Sequence, residues 1–297
     1  MYDFLLRSPP TPVAFTNVDE SYARLEAIDG AWGGSVERAA VGGFVADRLG
    51  IAFLAGYRAA LQRLDPSLSR ASLCATEEGG AHPRAIRARL EPADGAFVLT
   101  GAKTFATLAS RAQTLLVVAS VGEIDGRNQL RIARIPSERA GVTIRDRPPI
   151  PFAPEIPHAE IIFENVRVEA SELLEGDGYE RVLKPFRTLE DVHVLASALG
   201  YLVQVARRFG PAEPQIEEAL ATLASLREVA ARDPLAPSTH VVLAGAIASS
   251  QRLAASAGLA NADEPTRTRW ERDRPLLAVA GTARGKRREA AWRALLG

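Results

Sequence analysis

Two short stretches hold the residues of this chain best suited to gripping a ligand: Leu73-Cys74-Ala75-Thr76-Glu77 and Gly101-Ala102-Lys103-Thr104-Phe105-Ala106-Thr107. In the second, Phe105 and Thr107 fall on one face of an extended strand at a period of two, so an aromatic plane and a hydroxyl donor stand side by side. Gly101 interrupts that strand, the mark of a bulge or of backbone that must approach something closely. Upstream, Asp94-Gly95 is a tight-turn signal between the polar Arg87 to Glu91 approach and the apolar alternation of Phe97 and Leu99. The whole reads as a β-hairpin carrying a ligand wall.

A strand ending in Thr76-Glu77, followed by Gly101-x-Lys103-x-Phe105-x-Thr107, resembles the acyl-CoA dehydrogenase family. The resemblance continues through Phe163-Glu164-Asn165-Val166-Arg167-Val168 and the turn Leu174-Glu175-Gly176-Asp177-Gly178-Tyr179. It implies an FAD flavoprotein in which Phe105 packs on the flavin ring, Thr76 and Thr107 bond to its edge, and Leu73 and Ala75 line it. Such a ring needs a flat apolar face and donors along its heteroatom edge, where negative charge develops on reduction. The implied reaction is α,β-dehydrogenation of an acyl-CoA or similar thioester, with hydride passing to flavin N5.

The resemblance also asks for a base, a carboxylate whose pKa is raised by burial. Most of the family place it in a Glu-Gly-Thr motif near the C-terminus; here Ala280-Gly281-Thr282 stands there, and alanine takes no proton. A branch typified by isovaleryl-CoA dehydrogenase supplies it from an earlier helix, in a Leu-Glu-Arg context with a later Gly. Leu189-Glu190-Asp191, with Gly200 at the same spacing, places Glu190 in that role. The competing reading is that Glu190 and Asp191 merely favour a helix N-terminus after Thr188.

Other motifs depart from the family. Glu77-Glu78-Gly79-Gly80-Ala81-His82-Pro83 lacks its Ser-Asp, leaving the Gly79-Gly80 backbone N–H groups for a phosphate. The motif Arg-x-x-Phe-Gly survives only as Arg207-Arg208-Phe209-Gly210, and no Gly-Gly-x-Gly follows. Two alternatives therefore stand beside the dehydrogenase: a flavin monooxygenase of the same fold, with His193 or His82 handling the proton, and a non-catalytic partner subunit.

With 297 residues, 47% hydrophobic and 24% charged, the chain suits two domains with a large core. Its 36 basic and 36 acidic residues cancel, which leaves no overall field to recruit nucleic acid or an anionic membrane. The run Arg284, Lys286, Arg287, Arg288 reads as a solvated helix face. Cys74 is the only cysteine, which excludes an intramolecular disulfide or a cysteine zinc site; no metal site is expected. Neither a leader pattern nor a membrane-length apolar run is visible, so the expectation is a cytoplasmic protein without membrane insertion.

The elements that position these residues follow an α+β order. A short helical region occupies residues 1–70: mostly loop to residue 34 with one short helix around Ser21 to Ala27, then helix from Ser35 until Asp65-Pro66. A β-barrel or sandwich occupies 71–170, with strands near 72–76, 87–91, 97–107, 114–121, 130–136, 142–147 and 158–169. An antiparallel helix bundle occupies 171–297, its first stripe running through Val192, Leu195, Leu199 and Leu202. The N-terminal region is shorter than in the family. Bundle packing in the family implies a homodimer or homotetramer.

Overall fold

The computed structural model describes residues 1–210, 213–256 and 259–297. All seven segments read as strands form strands: β1 Ala71–Cys74, β2 Arg89–Ala93, β3 Ala96–Thr107, β4 Thr114–Ile124, β5 Arg127–Pro136, β6 Val142–Asp146 and β7 His158–Val168. Their order is β1-β4-β2-β3-β7-β6, with β5 also on β4. β1 and β2 share one edge of β4 in succession, β1 through Cys74 opposite Val117 and β2 only at Arg89 opposite Ser120. The sheet curls around a core that includes Leu90, Leu99, Val117, Ile135, Ile161 and Phe163, where burial of apolar area supplies the main driving force.

Local geometry on β3 follows from its sequence. Asp94 and Gly95 both adopt positive φ, at 46° and 76°, the backbone of a two-residue hairpin turn. Gly101 has φ 136°, and a Cβ there would lie 2.7 Å from Ala88 Cα, so β3 passes close to the segment before β2. The β3–β7 ladder slips twice, near Gly101 and again between Lys103 and Ala106. The second slip puts both Lys103 and Ala106 on the buried face and leaves Phe105 and Thr107 half-buried on the other.

The N-terminal residues correct the sequence reading. Residues 1–34 are mostly helix: α1 Tyr2–Arg7 and α2 Val18–Ala31 precede α3 Ser35–Val45 and α4 Leu49–Leu64. Asn17 caps α2 by accepting from the Glu20 N–H, and Val18, Tyr22, Leu25 and Ile28 form its buried stripe between charged neighbours. Downstream come α5 Lys184–Phe209, α6 Glu213–Ala231, α7 Pro237–Ser256, α8 Glu264–Asp273 and α9 Gly281–Leu296. A short 3-10 turn at Arg274–Ala278 leads from α8 toward α9, and α8 was not foreseen because Trp270 is its only large apolar residue.

Two units emerge. The β unit comprises Leu64–Pro149 and Ile156–Phe186; the helical unit comprises Met1–Arg63, Ile150–Glu155 and Arg187–Gly297. Within the helical unit α3 and α5 touch backbone to backbone: a Cβ on Gly200 would lie 2.0 Å from the Ala40 carbonyl oxygen, and one on Gly43 1.8 Å from that of Ser197. The segment 150–155 is pinned there by the Ala153 N–H donating to Asp273 at 2.7 Å and by Glu155 pairing with Arg48 at 3.2 Å.

Candidate functional site

In the β unit, Thr76 and Phe105 form an isolated antiparallel bridge, and the Thr104 N–H donates to the Thr76 carbonyl at 2.9 Å. That bridge sets the two ligand-wall stretches side by side. Leu73, Thr76, Phe105 and Thr107 are half-buried and Ala75 is buried. The Thr76 and Thr107 hydroxyls donate to no described residue and are available to a ligand. The Phe105 ring is backed by His158, stacked with centroids 4.2 Å apart at 25°, and the Arg147 guanidinium lies 5.9 Å from its centroid. Burial, and secondarily Arg147, pulls His158 down to about 4, so a neutral imidazole supports the aromatic plane.

Beneath the wall lies a buried ion pair. Lys103 Nζ is 2.6 Å from Glu77 Oε1 and donates to the Val118 carbonyl at 2.5 Å, while Glu77 also accepts from the Arg87 and Ala88 N–H groups at 2.6 and 3.1 Å. Desolvation pulls the Lys103 ammonium below its ordinary pKa and Glu77 opposes that pull. Every strong group is satisfied, the condition under which a buried pair holds. The pair thus fixes the Thr76-Glu77 end of the wall to β3. Beyond it Gly80 departs from the sequence reading: its N–H donates to the Glu77 carbonyl at 2.8 Å and is spent inside the turn.

In the helical unit, Glu190 lies in the second turn of α5, not at a helix start. The helix is entered earlier, through a π-helical turn at Tyr179–Leu183, so Thr188 caps nothing and its buried hydroxyl has no partner. No hydrogen bond holds the Glu190 carboxyl among the described residues. Burial, then the neighbouring Asp191 charge, pushes it up to about 7. Two arginines of α9 stand close by but are occupied: Arg284 Nε and Nη2 both reach Asp191 Oδ1 at 2.8 Å, and Arg287 pairs with Asp191 Oδ2. Asp191 takes the hydrogen bonds of both arginines, whose charge offsets only part of the upward shift of Glu190.

Several sequence candidates find other work. His193 is fully buried, with Nδ1 2.6 Å from the Leu189 carbonyl and Nε2 2.8 Å from the Ser35 hydroxyl, and burial holds it down to about 4; it is a satisfied core residue. His82 is exposed and its Nδ1 accepts from the Arg84 N–H at 3.2 Å. Arg207 donates to the Leu5 and Ser8 carbonyls at 2.5 and 2.7 Å, and Arg208 pairs with Asp263. Ala280 is the N-cap of α9.

Residues 72–166 match the family model for the acyl-CoA dehydrogenase middle domain. That stretch runs through the sheet of the β unit. The fold of the chain agrees with butyryl-CoA dehydrogenase from Megasphaera elsdenii, at 14% identity and a TM-score of 0.70 over 100% of this chain and 96% of that one. It agrees equally with the prolyl acyl carrier protein oxidase AnaB, at 16% and 0.71 over 100% and 96%. An acyl-CoA dehydrogenase from Geobacillus kaustophilus gives 15% and 0.67 over 99% and 92%. No curated protein sequence gives a match to the chain.

Sequence reasoning missed His158 and the Asp191–Arg284–Arg287 cluster. His158 stands opposite Thr107 in the β3–β7 register, a pairing invisible without the strand order. The cluster corrects the reading of the α9 charge run: Arg284 and Arg287 turn inward at an i, i+3 spacing, whereas Lys286 and Arg288 are exposed. Among the described residues no grouping of three or more His, Cys, Asp or Glu could hold a metal ion, and no helix is long and apolar enough to cross a membrane.

Proposed function

We propose that this chain is an FAD-dependent oxidoreductase that dehydrogenates an acyl thioester between its α and β carbons, with Glu190 as the base. The observation that carries the proposal is the state of Glu190: a desolvated carboxyl titrating near 7, free of hydrogen bonds, because Asp191 occupies Arg284 and Arg287. A carboxyl of that affinity is half-ionised at neutral pH and so competent to take a proton from a weak carbon acid. Glu190 takes the α-proton as the α,β double bond forms and the β-hydrogen leaves with its electron pair. Bound FAD supplies the acceptor for that hydride.

The β-unit wall fits the ring end of such a cofactor. Phe105, backed by His158, supplies a half-buried aromatic plane, Leu73 and Ala75 extend the lining, and Thr76 and Thr107 bring unsatisfied hydroxyls to the edge. The neighbours support the thioester class without choosing its carrier, since one is named for a CoA ester and another for a carrier-protein ester. The exposed Trp292, Leu295 and Leu296 on α9, where Ala291 is the buried residue, support a homo-oligomer. The non-catalytic partner reading draws on one observation, the Gly80 N–H closed on its own turn rather than free for a phosphate.

Anaerobic reduction of the FAD-loaded protein by acyl thioesters tests the proposal. Glu190→Gln should keep the flavin bound and slow its bleaching by about a thousandfold, the scale of a lost general base. Bleaching at an undiminished rate removes Glu190 from the reaction. A protein that takes up neither FAD nor FMN defeats the enzymatic reading and leaves the partner subunit.

A further inference from the structure

Three strands bring their residues together at one end of the β-unit sheet. Thr107 of β3 stands opposite His158 of β7, and the N–H of Arg147, the residue after β6, donates to the His158 carbonyl at 2.8 Å. The Arg147 guanidinium is held in turn: its Nη1 donates to the Thr104 carbonyl at 2.9 Å, and the group lies 5.9 Å from the Phe105 ring centroid. The aromatic wall therefore carries a cation fixed beside it.

That charge is unbalanced. Among the described residues no carboxylate forms an ion pair with Arg147. In the β6–β7 ladder Glu160 stands opposite Arg145 and Asp146 opposite Ala159. Lys103, the only cation on β3, is spent on Glu77 at the buried face. The field of Arg147 already reaches the wall, because after burial it is the second cause that holds His158 down to about 4. A charge that opposes a cation at that place favours an anion there by the same Coulomb interaction.

We propose that Arg147 biases a flavin bound at this wall toward its reduced, anionic state. Two electrons and one proton turn the neutral oxidised ring into a ring with one negative charge, and that charge is what the guanidinium meets. The inference rests on the flavin reading of the wall and adds the residue that sets the redox balance of the ring. Across a distance of the guanidinium-to-Phe105 order, about 6 Å, and a dielectric between water and a protein surface, the attraction corresponds to about a tenfold preference for the reduced ring.

Reductive titration of the FAD-loaded full chain against a reference dye at neutral pH reads the midpoint potential and tests the assignment. Arg147→Gln should lower the potential by about 30 mV, which is about a tenfold loss in a two-electron couple. Arg147→Lys keeps the charge and should recover most of that shift. Arg147 is exposed, so in about 1 M salt, where the Debye length is about 3 Å, the gap between wild type and Arg147→Gln should close. A gap caused by a disturbed loop would persist in salt. An unchanged potential in Arg147→Gln, equal losses in the Gln and Lys variants, or a gap that salt leaves intact overturns the assignment while the flavin reading stands. A chain that takes up no flavin overturns both.

Discussion

Replacing Glu190 by Gln should make the folded protein more stable at alkaline pH, by an amount that grows with pH. In the folded chain burial pushes this carboxyl up from 4.5 to about 7. Below pH 4.5 it is protonated in both folded and unfolded states and the raised affinity carries its full stabilisation. Between these values the unfolded chain releases a proton that the folded chain retains, so stability is lost as pH rises through 7. At about 1.36 kcal/mol per pKa unit the full effect is about 3 kcal/mol. Glu190 keeps partial exposure, so about 2 kcal/mol is expected after screening by solvent. His158 and His193, both held down to about 4, act in the opposite sense, their stabilisation being lost as pH falls below the ordinary imidazole range. The wild-type curve therefore mixes opposing trends, and the difference between wild type and Glu190→Gln isolates the carboxyl. Trp32, Trp270 and Trp292 all belong to the helical unit that holds Glu190, so urea unfolding followed by tryptophan fluorescence reads that unit. The variant should gain about 2 kcal/mol over wild type between pH 5 and pH 8. A difference that stays flat across that range would refute the account of Glu190 as a desolvated, unclamped carboxyl.

Four further outcomes follow from the same geometry. Asp191→Asn should release Arg284 and Arg287 toward Glu190 and lower its titration by more than about one unit, read as a shift of the acid limb of flavin bleaching to lower pH; an unmoved limb would contradict the clamping argument. Lys103→Met should strand the Glu77 carboxylate in the β-unit interior and cost about 3–5 kcal/mol by denaturant unfolding. Phe105→Ala should weaken FAD binding at least about tenfold, the loss of a stacking plane worth about 1.5 kcal/mol or more, measured by fluorescence titration with free FAD. Gly200→Ala should cost more than about 2 kcal/mol, because its Cβ would meet the Ala40 carbonyl backbone at 2.0 Å and neither helix can yield without losing its packing.

The β unit was the more legible half. Period-two alternation and the Asp94-Gly95 turn identified all seven strands, because one face of each strand must be apolar and hairpin turns demand residues that accept positive φ. Before residue 35, α1 was missed and α2 was read only around Ser21 to Ala27, because α2 interleaves its buried stripe with Asp19, Glu20, Arg24 and Glu26 around Pro- and Gly-rich flanks. α8 was hidden for a related reason: its stability comes from Asp263 capping and the burial of Trp270, with no stripe to read.

What the sequence determined by itself was local: which residue types stand at two-residue spacing on one strand, that Gly101 must admit close backbone, and that Ala280 removes a carboxylate from the C-terminal motif. Tertiary structure alone decided which charges meet. Asp191 and Arg284 are 93 positions apart, and His158 reaches Phe105 only through the β3–β7 register. Proton affinity depends on desolvation and on charges within a few ångströms, and neither distance is written in the order of residues. Glu190 is a glutamate in the sequence; its raised pKa exists only once folding has buried it beside Asp191, against the smaller downward pull of the two α9 arginines.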